Sequence, residues 1–420
     1  MTRLNRNERL ADSGEKYVKL RSLLQHLIDI GHPYAARMAE RGLRPEHLGN
    51  REDLASFPTT TKYDLLSGYP FGWFAREKRD IVRIHATSGA TGKPALIAYT
   101  ADDVRMWSEN MAWCMGLSGV CENDVVQVSY GYGLFTGGFG VHDGAGVLGA
   151  MVVPISGGFT DRQIAIMKDI GATVLACTPS YALRIAENLE GRDTDGIKLR
   201  LGFFGAEAWS DELRAFLERA LGIKALDMYG LGEAMGPGVS AECLEQNGLH
   251  ISDDFIAEVV DPATLERVDD GEEGELVLTS WNRQAFPVIR YRTRDLASLL
   301  TEPCPCGEPT PRMSRVRGRS DDMLIFRGIN VFPKQIEAAI LGVSGLTANF
   351  RITVCKTRGL QDLSIVCERS AESKPEDIDA MTRALKKSIS NSTGASIPFE
   401  IAEPGSVPRL DGKSSRILKK

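Results

Sequence analysis

No stretch of the 420-residue sequence approaches the roughly 18 consecutive apolar side chains that a membrane-spanning helix needs. The first residues, 1–20, are charged and lack the apolar centre of a secretory signal. Membrane insertion and secretion are therefore not expected, and a cytoplasmic protein is. Neither sign of charge dominates, because 50 basic against 56 acidic residues leave a formal net charge of −6. A field of that sign does not hold a nucleic-acid backbone without a local basic patch, and the sequence offers none. Internal repeats and low-complexity segments are absent, which excludes solenoids and fibrous rods. Eight cysteines are too few and too scattered for a disulfide-stapled module. Five of them, Cys114, Cys121, Cys177, Cys355 and Cys367, stand singly, mostly inside apolar runs, as reduced core cysteines do.

What remains is an ordinary globular composition, 43% hydrophobic and 25% charged, long enough for two to three domains at roughly 150 residues each. Leu20, Leu23, Leu24, Leu27 and Ile28 recur at helical spacing, so the chain opens helical. A strand at 80–84 runs into a Gly/Ser/Thr loop. Short apolar runs at 125–128, 151–154, 173–177, 199–204 and 224–228 read as buried strands. Amphipathic stretches at 161–170, 181–189 and 211–221 separate them as helices. That alternation predicts βαβ units and a largely parallel sheet covered by helices. After Phe255, strands at 257–260, 274–279 and 297–300 follow one another without helices, predicting a β subdomain over about 255–318. Beyond it, helices at 333–341 and 375–390 and strands at 350–355 and 363–368 predict a small α+β domain. The expected fold is α/β: a large N-terminal body, 1–318, with parallel-rich sheets and the β subdomain, then a mobile α+β lid, 319–420.

Several segments carry chemistry. Ser88, Gly89, Thr91, Gly92 and Lys93 follow a strand, where bare amides and hydroxyls can wrap a phosphate and one lysine adds charge. This is not a Walker loop, since Gly89 and Gly92 stand too close and Pro94 occupies the place of the magnesium-binding hydroxyl. Tyr229 and Gly230 follow a strand ending at Asp227. An aromatic ring there can stack on a base, and Glu233 just beyond it can hold a magnesium ion. The arginine-rich run 286–295 ends in Asp295, a carboxylate suited to both hydroxyls of a ribose. Gly318, Arg319 and Asp321, and later Lys413 and Arg416, lie in polar turns on the small domain. Met one at a time, each of these segments is an ordinary turn.

In this order and spacing, segments 87–94, 229–233, 291–295, 318–322 and 412–416 resemble the core motifs of the acyl-adenylate-forming superfamily. Segments 83–89, 130–138, 229–238, 289–295 and 318–325 resemble more closely the hallmarks of its phenylacetate–CoA ligase family, over nearly the whole chain. The resemblance implies ATP-dependent activation of an aromatic carboxylic acid, phenylacetate-like or benzoate/anthranilate-like, to an acyl-adenylate. Transfer to the thiol of coenzyme A follows, with release of AMP and pyrophosphate. An alternative is a free-standing adenylation enzyme that loads the aryl group onto an acyl or peptidyl carrier protein's phosphopantetheine arm. A catalytically dead nucleotide-binding protein is disfavoured by the presence of Lys93, Glu233, Asp295 and Lys413.

By the same resemblance, residues 88–93 cradle the ATP phosphates, Tyr229 stacks near adenine with Asp227 and Gly230 beside it, and Glu233 binds Mg2+. Asp295 binds the ribose, Arg319 contacts the nucleotide, Asp321 is the hinge, and Lys413 is the lysine delivered for adenylation. Gly205, Ala206 and Glu207 form the segment between adenine and the acid pocket. Tyr132, Phe135, Gly205, Ala206, Met235, Gly236 and Pro237 are the pocket positions; rings over a glycine and alanine floor suit a flat aryl acid. Two places depart from the family: Ala90 replaces a second threonine, and residues 282–285 replace a stretch containing Lys and Glu. Partners are the small-molecule acid, ATP and CoA, with room for a homodimer.

Cys304 and Cys306 form a tight thiol pair on a turn, and Cys243 and His250 add a thiol and an imidazole, together a full tetrahedral set for structural Zn2+. Free cysteines beside a surface turn and a histidine held by a carbonyl are the alternative. Some members of the resembled family carry a comparable arrangement.

Overall fold

The computed structural model describes residues 14–87, 94–320, 324–326, 329–357, 360–409 and 416–419. Ser88, Gly89, Thr91, Gly92 and Lys93 of the expected phosphate loop, Asp321, the expected hinge, and Lys413 lie outside the described residues.

Helices α1 (Gly14–Asp29) and α2 (Pro33–Glu40) open the chain. Of the apolar positions read along the sequence, Leu20, Leu23, Leu24 and Leu27 are the buried face of α1, while Ile28 is exposed. The helix stops where Gly31 turns left-handed and Pro33 starts the next one. Short helices α3 (Arg51–Leu54) and α4 (Lys62–Leu65) lead to the hairpin β1 (Arg83–Ala86) and β2 (Leu96–Tyr99), which flanks the phosphate loop. The strand expected at 80–84 begins at Arg83, because Lys78–Asp80 form a 3-10 turn.

From there strands and helices alternate: α5 (Ala101–Leu117), β3 (Val125–Val128), α6 (Gly137–Leu148), β4 (Met151–Val153), α7 (Thr160–Ile170), β5 (Val174–Cys177), α8 (Pro179–Leu189), β6 (Leu201–Gly205), α9 (Asp211–Leu221) and β7 (Lys224–Leu231), with α7, α8, α9 and the strands as expected and α5 and α6 in addition. Strands β4, β3, β5, β6 and β7 pair in parallel. Their carboxyl ends therefore open on one edge, where the following loops converge on a crevice. Antiparallel β8 (Gly236–Glu242) and β9 (Leu249–Ile251) extend the sheet.

The β region comprises β10 (Phe255–Val260), β11 (Gly274–Ser280), β12 (Tyr291–Ala297), β13 (Leu299–Leu300), β14 (Arg312–Met313) and β15 (Gly318–Arg319). Two sheets share it: β10-β11-β12-β15 form a four-stranded sheet, while β13 and β14 complete the nine-stranded one. The single strand expected at 297–300 is thus two strand ends in different sheets. The second half of the arginine-rich run, from Tyr291 on, lies in strand β12, where Arg292 and Arg294 both reach Glu275 on β11.

The C-terminal domain holds β16 (Leu324–Phe326), β17 (Ile329–Val331), α10 (Pro333–Leu341), β18 (Leu346–Thr357), β19 (Leu360–Arg369), α11 (Ile378–Thr393), β20 (Phe399–Ala402) and β21 (Ile417–Lys419). The long β18–β19 hairpin is flanked in parallel by β20 and β21. Helices α10 and α11 pack together, and their apolar faces join that hairpin in one core containing Ile336, Ile352, Ile365 and Leu385. Among the described residues, no helix is long and apolar enough to cross a membrane.

Candidate active site

The crevice is built from the loops that leave the parallel strands. At the end of β7, the Tyr229 hydroxyl donates to Asp295 Oδ2 at 2.7 Å, and Arg319 Nη1 lies 3.2 Å from Asp295 Oδ1. Strand β15 delivers Arg319 by pairing with β12, with Asp295 and Arg319 in register. Arg294, just before Asp295, adopts a left-handed φ of 67°. A non-glycine residue in that region is held there by its surroundings, here by its own N–H and guanidinium on Glu275. Burial and the adjacent Asp295 carboxylate push the Tyr229 phenol well above its ordinary range, so it stays a donor. Three residues read from separate motifs thus meet at one junction.

Asp227 lies deeper. Arg315 Nε approaches its Oδ2 at 2.9 Å, and its backbone N–H donates to Glu242 Oε2, which Arg214 also binds. The carboxylate expected beside the nucleotide is neutralised by an arginine that the sequence analysis did not single out. Glu207 sits at the mouth of the same edge, accepting from the Ser180 hydroxyl and N–H, and burial raises its carboxyl. Ala206 before it is left-handed at φ 72°, and any side chain at Gly205 would collide with the Met228 carbonyl. Close backbone approach is the reason for small residues here.

Glu233 is 9% exposed and pairs with Lys62 Nζ at 3.3 Å. Lys62 begins α4. Its distance from Glu233 along the chain hides the pairing from any motif.

Of the positions expected to line an acid pocket, Tyr132, Met235, Gly236 and Pro237 lie against a cluster of rings. Tyr132 packs edge-on against Phe139 and His142, with its hydroxyl 3.3 Å from His142 Nδ1. His85 makes edge contacts with Tyr99, Trp107 and Phe139. Tyr99 and Trp107 stack, and they fix the pocket floor by donating to the Met235 and Pro237 carbonyls at 2.8 and 2.7 Å. Gly236, at φ 110°, lies against the Trp107 ring where a Cβ would meet it at 2.6 Å. Phe135 is 44% exposed. The contributions of His85, Tyr99, Trp107 and Phe139 were not foreseen, although apolar and aromatic periodicity on α5 would have flagged Trp107.

The departure at 282–285 has a structural account. Arg283 is 1% exposed, lies 4.2 Å over the Tyr99 ring and donates to the Ala98 carbonyl. The backbone N–H groups of Gln284 and Ala285 bind the Asp103 carboxylate. This stretch braces β2 and α5 behind the pocket.

Cys243, His250, Cys304 and Cys306 come together with ligand atoms all within 4.8 Å of one another. The Cys243 and Cys304 sulfurs are 3.6 Å apart, and Cys306 Sγ lies 3.4 Å from His250 Nε2. His250 Nδ1 faces the Thr310 hydroxyl at 3.2 Å, which leaves Nε2 for a metal. Burial lowers the imidazole to about 4, so it is neutral and its lone pair is available. The donor set and its spacing fit tetrahedral zinc.

Fold and site together define an AMP-binding enzyme. The family model for "AMP-binding enzyme" matches residues 53–282, and that for "AMP-binding enzyme C-terminal domain" matches 328–420. The phenylacetate–coenzyme A ligase of Pseudomonas putida is 43% identical over 409 residues, 96% of this chain and 92% of that protein. The ligase of the same name from Escherichia coli (strain K12) is 42% identical over 95% of this chain and 93% of its own. The chain belongs to the phenylacetate–CoA ligase family. Among solved structures, 2-hydroxyisobutyryl-CoA ligase in its postadenylation state superposes with a TM-score of 0.90 at 26% identity, over 96% of this chain and 89% of that one. In its thioesterification state the same enzyme gives 0.71 at 27% identity, over 100% and 90%. The C-terminal domain here is posed as in the former.

Proposed function

We propose that this enzyme activates an aromatic carboxylic acid, phenylacetate-like or benzoate-like, with ATP and passes the acyl group to coenzyme A, releasing AMP and pyrophosphate. Near-full-length kinship with phenylacetate–CoA ligases carries the reading, and the Tyr229–Asp295–Arg319 junction supports it from this chain's own geometry.

In the first step the substrate carboxylate attacks the α-phosphate. It is already ionised at neutral pH, so catalysis rests on positioning and charge neutralisation rather than on a general base. Asp295 would take the ribose hydroxyls, with the Tyr229 ring beside adenine and Arg319 on the nucleotide. Residues 88–93 would hold the phosphates. Glu233 would hold Mg2+, which neutralises phosphate charge when bound. Lys413 would bridge the substrate carboxylate and the α-phosphate. The rings of Tyr132, Phe139 and Trp107 favour a flat acid over a long aliphatic one.

Free CoA is the acceptor we propose over a carrier-protein arm, since both relatives above are named as CoA ligases. We also propose a cytoplasmic enzyme with its thiols reduced. The decisive experiment is pyrophosphate exchange across a panel of aryl acids, followed by thioester assays with CoA and with carrier protein. Absence of any acid-dependent exchange would overturn the adenylation reading; thioester on carrier protein alone would overturn the choice of acceptor.

Zinc at Cys243, His250, Cys304 and Cys306 would clip the turn after β8 to the turn between β13 and β14. It would stabilise and take no part in the reaction. Protein purified without chelator should contain one zinc per chain, and Cys306→Ser should lose it and melt earlier. Zinc-free protein of full stability would count against the site.

A further inference from the structure

Two arginines join the C-terminal domain to the helices of the body. Arg409 Nη1 donates to both oxygens of Glu368 at 2.9 Å, while its Nε lies 3.6 Å from Glu187 Oε2 on α8. Arg416 Nη1 lies 2.6 Å from Glu337 Oε1 on α10, and its guanidinium stands 4.4 Å over the Phe350 ring. Each junction continues into the body. Glu337 Oε2 accepts the backbone N–H of Ser210, the residue that caps α9, at 3.0 Å. Glu187 Oε1 accepts from Asn349 Nδ2 at 2.7 Å. Ala348, on β18, packs into the apolar cluster of α8 and α9.

The two halves of this arrangement differ in kind. Glu368 and Arg409, like Glu337 and Arg416, lie within one domain, so those pairs can persist in any domain pose. Glu187 and the Ser210 N–H belong to the body, so their bonds exist only when the C-terminal domain sits as it does here. A buried carboxylate on the first amides of a helix is well placed, because it meets unpaired donors and the positive end of the helix dipole. Glu337 is 4% exposed, so the contact is shielded from water. Along the chain the two arginines bracket residues 410–415, which include Lys413.

We propose that Glu187 and Glu337 are positioning residues for adenylation, fastening both flanks of the Lys413 segment to α8 and α9 in this pose and releasing them in the other. The proposal rests on the reading of Lys413 as the first-step lysine. Burial raises the Glu187 carboxyl, with Arg409 and Asn349 acting against that rise, consistent with a group held out of water by its partners.

The test measures the half-reactions separately in Glu187→Gln and Glu337→Gln. The Glu187 variant keeps an acceptor for Asn349 and removes only the charge facing Arg409. Misplacement of a reacting group by about 1 Å costs on the order of 100-fold, so acid-dependent pyrophosphate exchange should fall roughly 10- to 100-fold. Thioester formation from preformed acyl-adenylate and CoA should hold or rise. A role in folding alone would depress both. Equal loss of both half-reactions, or exchange unchanged in folded Glu187→Gln, overturns the proposal. Should Glu337→Gln fail to fold, the Glu187 variant decides. Wild-type enzyme without exchange would instead remove the functional reading beneath it.

Discussion

The Glu233 carboxylate proposed to hold Mg2+ is already paired with a lysine. Lys62 Nζ stands 3.3 Å away, and the side chains of Lys62 and Glu233 are 28% and 11% exposed. A partly exposed pair of this kind contributes about 0.2–1 kcal/mol, so displacing it opposes metal binding by at most about fivefold. Lys62→Ala should therefore lower the Mg2+ concentration giving half-maximal exchange by up to about that factor. A Mg2+ titration at fixed ATP reads it, and a raised requirement would mean that Lys62 helps the phosphates rather than competing for Glu233. The pair also marks what a sequence can show of a site. Tyr229 and Asp295 could be singled out because each sits inside a local motif on a strand. Lys62, Arg315 and Glu337 were not, because the partner of each is brought near only by the folded chain.

The least legible element is α6. Its sequence holds Gly137, Gly138, Gly140, Gly144 and Gly146, a composition that ordinarily marks a loop. Packing overrides propensity here. A Cβ at Gly144 would meet the Met111 Cβ at 2.5 Å and the Met111 carbonyl carbon at 2.9 Å, so glycine is what lets α6 lie against α5. At Gly140 a Cβ would meet Pro237 at 2.5 Å, which ties the helix to the pocket floor. Gly146, by contrast, has nothing within 4 Å. Gly144→Ala should destabilise by about 1–3 kcal/mol through overpacking against backbone. Gly146→Ala should stabilise by up to about 1 kcal/mol through helix propensity. Denaturant midpoints of the two variants should move in opposite directions; movement in the same direction would show that α6 is governed by propensity after all. Strands β5 and β6 were legible for the converse reason, since every residue in each is buried and apolarity alone reports them.

On the scale of the whole molecule, the C-terminal domain carries Lys413 while Glu233, Asp295 and the crevice belong to the body. One domain cannot present two faces to one site at once, so two half-reactions imply two poses. The present arrangement resembles the postadenylation crystal of 2-hydroxyisobutyryl-CoA ligase, at a TM-score of 0.90, more than its thioesterification state, at 0.71. On the proposed reading, Lys413 would serve adenylation alone, and rotation about Asp321 would withdraw it before the thiol arrives. An ammonium bridging two anionic oxygens in a dry site acts chiefly in the transition state. Its loss should cost on the order of 2.7–4 kcal/mol, or 10²–10³ in rate, by analogy with deleted oxyanion donors. In Lys413→Ala, adenylation from ATP should collapse by that factor while thioester formation from supplied acyl-adenylate persists. Equal loss of both steps in a folded variant would sink domain alternation and leave Lys413 a general stabiliser of the closed enzyme.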